Sequence, residues 1–161
     1  MPEGEPNLLW PILGGVLIIL INAFFVTVEF AVVTVRRSQM ERLADEGNVA
    51  ARQVSRLLAD PDWAIAASQL GITVSSILLG VVAEEPLNEL LSPILTRLFG
   101  IVAIPPAVSA GLATVLVLLL LSFLHMVIGE QTPKTIALRY PKQAALFVAG
   151  PISIFARLAT P

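Results

Sequence analysis

Cysteine is absent from the 161 residues, which excludes disulfides and thiolate metal sites alike. Charge is scarce: 14% of residues are Asp, Glu, Lys or Arg, where a soluble domain carries about a quarter. The single histidine excludes a paired-histidine metalloprotease, and His125-Met-Val-Ile-Gly-Glu130 fits no other motif of an intramembrane protease. A net charge of −2 with no basic block argues against nucleic acid as a partner. No lysine or arginine precedes the first apolar run, so that run reads as a retained helix and not as a cleaved signal peptide. No internal repeat or low-complexity tract is found. What remains is apolar: 56% of residues are hydrophobic and the mean hydropathy is +0.84. The chain reads as one all-α membrane domain, and nothing in it reads as a soluble enzyme.

A bilayer crossing needs about 20 apolar residues, and three stretches are long enough. The first is uncharged from Leu8 to Val28, continues through Glu29, and stops at Arg36-Arg37, giving a span over about 8–35. The second covers Trp63–Ala83, between Asp60-Pro61-Asp62 and Glu84-Glu85-Pro86. The third covers about 106–129, from Pro105-Pro106 to Gly129-Glu130. Between the first two, residues 37–60 mix charged and apolar positions at helical spacing, and Gly47-Asn48 divides them into two amphipathic pieces at the membrane surface. A fourth apolar run, Gln143–Ala156, contains Gly150-Pro151 and is too short to cross, so it predicts an interfacial or re-entrant helix. Nine basic residues lie between spans one and two or follow the third span, against Arg97 alone between spans two and three. By the positive-inside rule the N-terminus is expected outside and the C-terminus in the cytoplasm.

Function in such a chain rests on polar groups at membrane depth, where an ionisable side chain costs several kcal/mol. Asn22 and Glu29 are seven apart and share a face of the first span. Glu29 reads as a structural partner for Arg36 or as a helix end. Ser68, Gln69, Thr73, Ser75 and Ser76 lie in the second span, and Ser122 and His125 in the third. His125 reads as a packed, neutral side chain. Gly14, Gly15, Gly71, Gly80 and Gly111 read as points of close helix approach. Pro133 cannot continue a helix normally, so Thr132 is expected as an N-cap, with the third span ending near Gly129 and presenting unpaired carbonyls. Broken ends of this kind bind cations, and Glu130 adds a full negative charge there. Oxygen donors of this type, in a small cavity, suit Mg²⁺.

These residues also resemble a known family. Asn22-Ala-Phe-Phe-Val-Thr-Val-Glu29, Val35-Arg-Arg, Leu43-Ala-Asp-Glu-Gly47, Gln69-Leu-Gly-Ile-Thr73 and Gly129-Glu130-Gln131-Thr132-Pro133-Lys134 occur together and in order. In that combination the chain is similar to the transmembrane domain of the CorC/CNNM magnesium transporters. The resemblance implies a homodimer with three spanning helices per subunit, and a juxtamembrane helix here placed at about 133–158. It implies Mg²⁺ export from the cytoplasm across the cell (inner) membrane, exchanged for Na⁺. It also implies nucleotide-binding CBS domains after the membrane domain, which this sequence does not contain. The expected Mg²⁺ ligands are Asn22, Ser75, Ser76, Glu130 and backbone oxygen near Gly129, with export by alternating access.

Overall fold

A computed structural model describes residues 8–159, with side chains described for all of these except 107 and 153–159. The elements are α1 (Leu9–Thr34), α2 (Arg37–Asp45), α3 (Val49–Leu57), α4 (Pro61–Ile101), α5 (Pro106–Leu124), a π-helical turn (His125–Gln131), α6 (Thr132–Arg139) and α7 (Pro141–Ala159). Three continuous helical stretches are long and apolar enough to cross a membrane: Leu9–Thr34, Pro61–Ile101 and Val108–Arg139. The expected all-α domain with three spans is therefore observed.

Local chemistry accounts for most boundaries. α1 ends where Val35 turns extended (ψ 139°). Gly47 adopts φ +94°, a conformation that suits glycine, and so lets α2 turn into α3. Asn48 then caps α3 by accepting from the Ala51 amide at 3.0 Å. Asp60 caps α4 in the same way through Trp63 N–H at 3.2 Å, with Pro61 at the first helical position. The two amphipathic pieces predicted around Gly47-Asn48 are present.

Three boundaries differ from the sequence reading. α4 does not stop at Ala83 but runs 41 residues to Ile101, roughly 60 Å, carrying Pro86 and Pro93 inside it. Each proline removes one hydrogen bond, a loss that a neighbouring helix can offset. Here Leu91 and Leu95 pack near Leu116 and Leu120 of α5. Second, no helix break occurs at Gly129–Pro133. Gln131 and Thr132 are both helical, Thr132 makes no cap and is the first residue of α6, and the chain widens into a π turn. Third, the single juxtamembrane helix is two. Tyr140, held at φ −129° and ψ 57° before Pro141, separates α6 from α7.

One end of the molecule is a packed core. Val28, Ala31, Val32 and Val35 of α1 meet Met40 of α2, Ala51, Val54 and Leu57 of α3, and Ala145, Val148 and Ile152 of α7. Burying each larger aliphatic side chain contributes about 1.5–3 kcal/mol, which ties α2 to α3, and α3 through α7 to α1. The predicted interfacial run thus forms α7, packed on α1 and α3. Elsewhere α1, α4 and α5 expose large apolar side chains, among them Leu17, Leu70, Ile77, Val81, Leu119 and Phe123. Water would not tolerate such faces, whereas lipid covers them.

α1 and α4 run antiparallel and touch through glycines. A Cβ on Gly15 would lie 2.9 Å from that of Ala83, and one on Gly71 would enter the Phe25 ring at 2.5 Å. Gly80 and Gly111 have open space around them within the chain, so close approach holds for Gly14, Gly15 and Gly71 only. Gly71→Ala is expected to lower stability by about 1–3 kcal/mol, the usual cost of overpacking, measured by thermal unfolding in detergent. The double variant with Phe25→Ala should lose less than the sum of the two single losses, because the two changes share one space. Strictly additive losses would count against the contact.

Candidate cation site

Asn22 lies at the middle of α1 and is fully buried. Its Nδ2 donates to the Gly129 carbonyl at 3.1 Å. That carbonyl is four residues before Pro133, which has no N–H to return to it. Asn22 therefore supplies the donor that the proline withholds, and couples α1 to the π turn. Because only the NH₂ group can donate, Oδ1 is the atom left over. It is buried and accepts no hydrogen bond. The carbonyl expected to be free is thus occupied, and the free oxygen is on the side chain that occupies it.

His125, read from the sequence as a packed side chain, lies against this arrangement. A Cβ on Gly129 would sit 2.8 Å from His125 Cδ2 and 3.3 Å from Asn22 Nδ2, so both side chains close over that glycine. His125 Nε2 is buried without a partner and stands 4.0 Å from Glu130 Oε1. Glu130 itself is about half exposed, with 44% of its side-chain surface accessible. Among the described residues no three of His, Asp and Glu gather as a metal cluster, so the charge here comes from one carboxylate.

The serines reach the same level by register. Gly15 meets Ala83, Phe25 meets Gly71, and Gln69 Nε2 donates to Glu29 Oε1 at 3.3 Å. Interpolating along the two antiparallel helices sets Ser75 and Ser76 level with Asn22. Ser75 belongs to the buried stripe Ala64, Ser68, Gly71, Ser75, Leu79 and Ala83 that faces α1, and is 3% exposed. Ser76 lies one position off that stripe. Both hydroxyls donate back into the helix, Ser75 to Gly71 O at 2.6 Å and Ser76 to Ile72 O at 2.8 Å. Each oxygen keeps lone pairs after donating. The structure thus bonds Asn22 to Gly129, sets His125 against Gly129 and 4.0 Å from Glu130, and brings Ser75 to the level of Asn22 from the α4 side. Glu29 pairs with Gln69 and not with Arg36, a partner 40 positions away that helical spacing could not reveal.

The Cyclin M (CNNM) transmembrane N-terminal domain matches residues 13–161, which is nearly the whole chain. The chain belongs to the CNNM family. Curated relatives of this CNNM domain are UPF0053 proteins and others. YhdT of Bacillus subtilis is 45% identical over 150 residues, covering 93% of this chain and 32% of its own. An uncharacterized protein of Mycobacterium tuberculosis is 38% identical over 155 residues, covering 96% of this chain and 43% of its own. A protein of Haemophilus influenzae named polyamine export protein is 30% identical over 139 residues, covering 86% and 31%. The CNNM domain described here therefore spans between about a third and somewhat under half of the length of these relatives.

Proposed function

We propose that this CNNM domain is the membrane part of a Mg²⁺ exporter, with Mg²⁺ carried through the Asn22–Glu130 site and Na⁺ entry as the driving gradient. The observation that carries this reading is Asn22 Oδ1, an amide oxygen buried at membrane depth with no partner. An unsatisfied buried acceptor costs about 1–3 kcal/mol, a cost that a cation would offset. Glu130 supplies the charge, Ser75 and Ser76 neutral oxygens, and the Gly129 region backbone oxygen. All are hard donors, which suit Mg²⁺. Mg²⁺ dehydrates reluctantly, and one carboxylate with a few neutral oxygens lets it keep some of its water while passing. Alternating exposure of this site to the two sides would complete transport.

The test is flux. In liposomes of the purified protein, an imposed Na⁺ gradient should drive Mg²⁺ in the direction opposite to Na⁺ flow, read by an entrapped Mg²⁺ dye. Binding without flux would instead favour a Mg²⁺ sensor or scaffold. The name of the Haemophilus relative raises a second cargo, a polyamine. Spermidine added as competitor separates the two: if spermidine is carried and Mg²⁺ is not, the Mg²⁺ reading fails.

Orientation and assembly belong to the same proposal. The nine basic residues near the packed end support a cytoplasmic position for that end, with residue 91 outside. The chain has no native cysteine, so introduced ones report alone. Cysteine at Leu91 is expected to react with an impermeant reagent from outside, and cysteine at Gln53 only after the cytoplasmic side is opened. Labelling of position 53 in intact cells would invert the topology. The exposed faces of α4 and α5, with open space at Gly80 and Gly111, support a homodimer. Light scattering in detergent should give twice the chain mass, and a monomer at every concentration would remove that part.

A further inference from the structure

We propose that His125 Nε2 is a further ligand in the Asn22–Glu130 site, its one nitrogen donor, and that the site therefore accepts borderline divalent ions, Mn²⁺ foremost, alongside Mg²⁺. The inference rests on the reading of Asn22 and Glu130 as cation ligands and adds the class of cargo. Two polar atoms are left unsatisfied there, Asn22 Oδ1 and His125 Nε2, and the side chains that carry them both close over Gly129, one from α1 and one from the π turn. A histidine that merely packed would leave its nitrogen paying the full desolvation cost with no return. The 4.0 Å from Nε2 to Glu130 Oε1 is too long for a hydrogen bond. It is within reach of one ion: two metal bonds of about 2.1 Å each span at most about 4.2 Å, and a small approach of the half-exposed Glu130 side chain would bring the pair to the roughly 3 Å of adjacent octahedral ligands.

The helix geometry explains how the two residues come to face one ion. Five residues apart in an α-helix they would point about 140° away from each other. In the wider π turn, whose hydrogen bonds run from i to i+5, that angle is much smaller and the two side chains leave the helix on the same side. Neutral imidazole is a poor ligand for Mg²⁺ but a good one for first-row transition metals. A single imidazole among oxygens shifts preference without creating a tight trap, as a site that must release its cargo requires.

The sole histidine makes the test specific. Tag-free protein loaded with Mn²⁺ is to be studied by pulsed EPR, once with natural nitrogen and once with ¹⁵N-histidine. The expected result is a nitrogen modulation that converts to the ¹⁵N pattern on labelling. Mn²⁺ that binds and is displaced by Mg²⁺ but shows no histidine nitrogen would overturn the inference and leave the Mg²⁺ site standing. Failure of both ions to bind would overturn the site reading and this inference together. In His125→Leu, the Mn²⁺ over Mg²⁺ affinity ratio should fall by about tenfold, the lower end for loss of a dedicated metal partner. An unchanged ratio in a folded variant would also overturn it, and the wild-type spectrum decides if that variant does not fold.

Discussion

Replacing Glu130 by glutamine is expected to weaken Mg²⁺ binding by about 100-fold or more while leaving the metal-free fold close to wild type. Glutamine keeps the size and hydrogen-bonding capacity of glutamate and deletes only the charge. A unit charge pair 4 Å apart at an effective dielectric of 20 is worth about 4 kcal/mol, and a direct ligand of a divalent ion stands closer than that. An ordinary surface carboxylate would contribute about 1 kcal/mol or less. The readout follows from linkage. At a Mg²⁺ concentration 100 times the dissociation constant, the ion stabilises the folded state by about 2.7 kcal/mol. After a 100-fold loss of affinity the same concentration stabilises by only about 0.4 kcal/mol, so the Mg²⁺-dependent rise in melting temperature should all but vanish. If Glu130 served only an internal contact, the glutamine variant would melt lower by the same amount with and without Mg²⁺. A variant that keeps the full Mg²⁺-dependent shift and full flux would remove Glu130 from the site.

Gly129→Ala should be nearly as damaging by an unrelated route. The added methyl would stand 2.8 Å from His125 Cδ2 and 3.3 Å from Asn22 Nδ2, so at least one side chain must leave its place. Overpacking costs about 1–3 kcal/mol. Pushing Asn22 aside also breaks its bond to the Gly129 carbonyl, adding about 1–3 kcal/mol for the groups left unpaired. The sum, about 2–6 kcal/mol, should appear as lower thermal stability already without Mg²⁺, together with lost Mg²⁺ binding. Gly100→Ala is the control, because a Cβ there meets nothing within 4 Å. Equal melting temperatures for the two alanine variants would show that no close packing exists over Gly129.

The sequence discloses this site unevenly, and the reasons are physical. Asn22 and Glu130 stand out because polar and charged groups are costly inside apolar runs. Pro133 correctly marks Gly129 as a special carbonyl, since the missing N–H lies four residues on. What the proline does to the chain is less legible. A break and a π turn both relieve the same clash, and the choice depends on Asn22 arriving from another helix to satisfy the carbonyl. His125 is hidden for the same reason: helical-wheel reasoning turns it away from Glu130 until the turn is known to be π. Register on α4 depends on glycine contacts, so the sequence could set Ser75 and Ser76 side by side but could not tell which faces α1. The continuation of α4 past Ala83 is not legible either, because Glu84-Glu85-Pro86 is a stop signal for an isolated helix, and α4 has α5 beside it.

The long α4 has a mechanical consequence. Pro86 and Pro93 have no N–H to give to the carbonyls of Val82 and Glu89, so the helix can flex at two places without breaking a hydrogen bond. Both lie between the level of Asn22 and the α4–α5 turn. On the other side of that level, α1 is locked to α2, α3 and α7 by close-packed Val, Ala, Met and Ile side chains. A force on the molecule would thus bend it like a rod clamped at one end and jointed near the other. Access to the buried amide should open first by swinging the jointed α4–α5 arm, with the clamped bundle as the fixed frame.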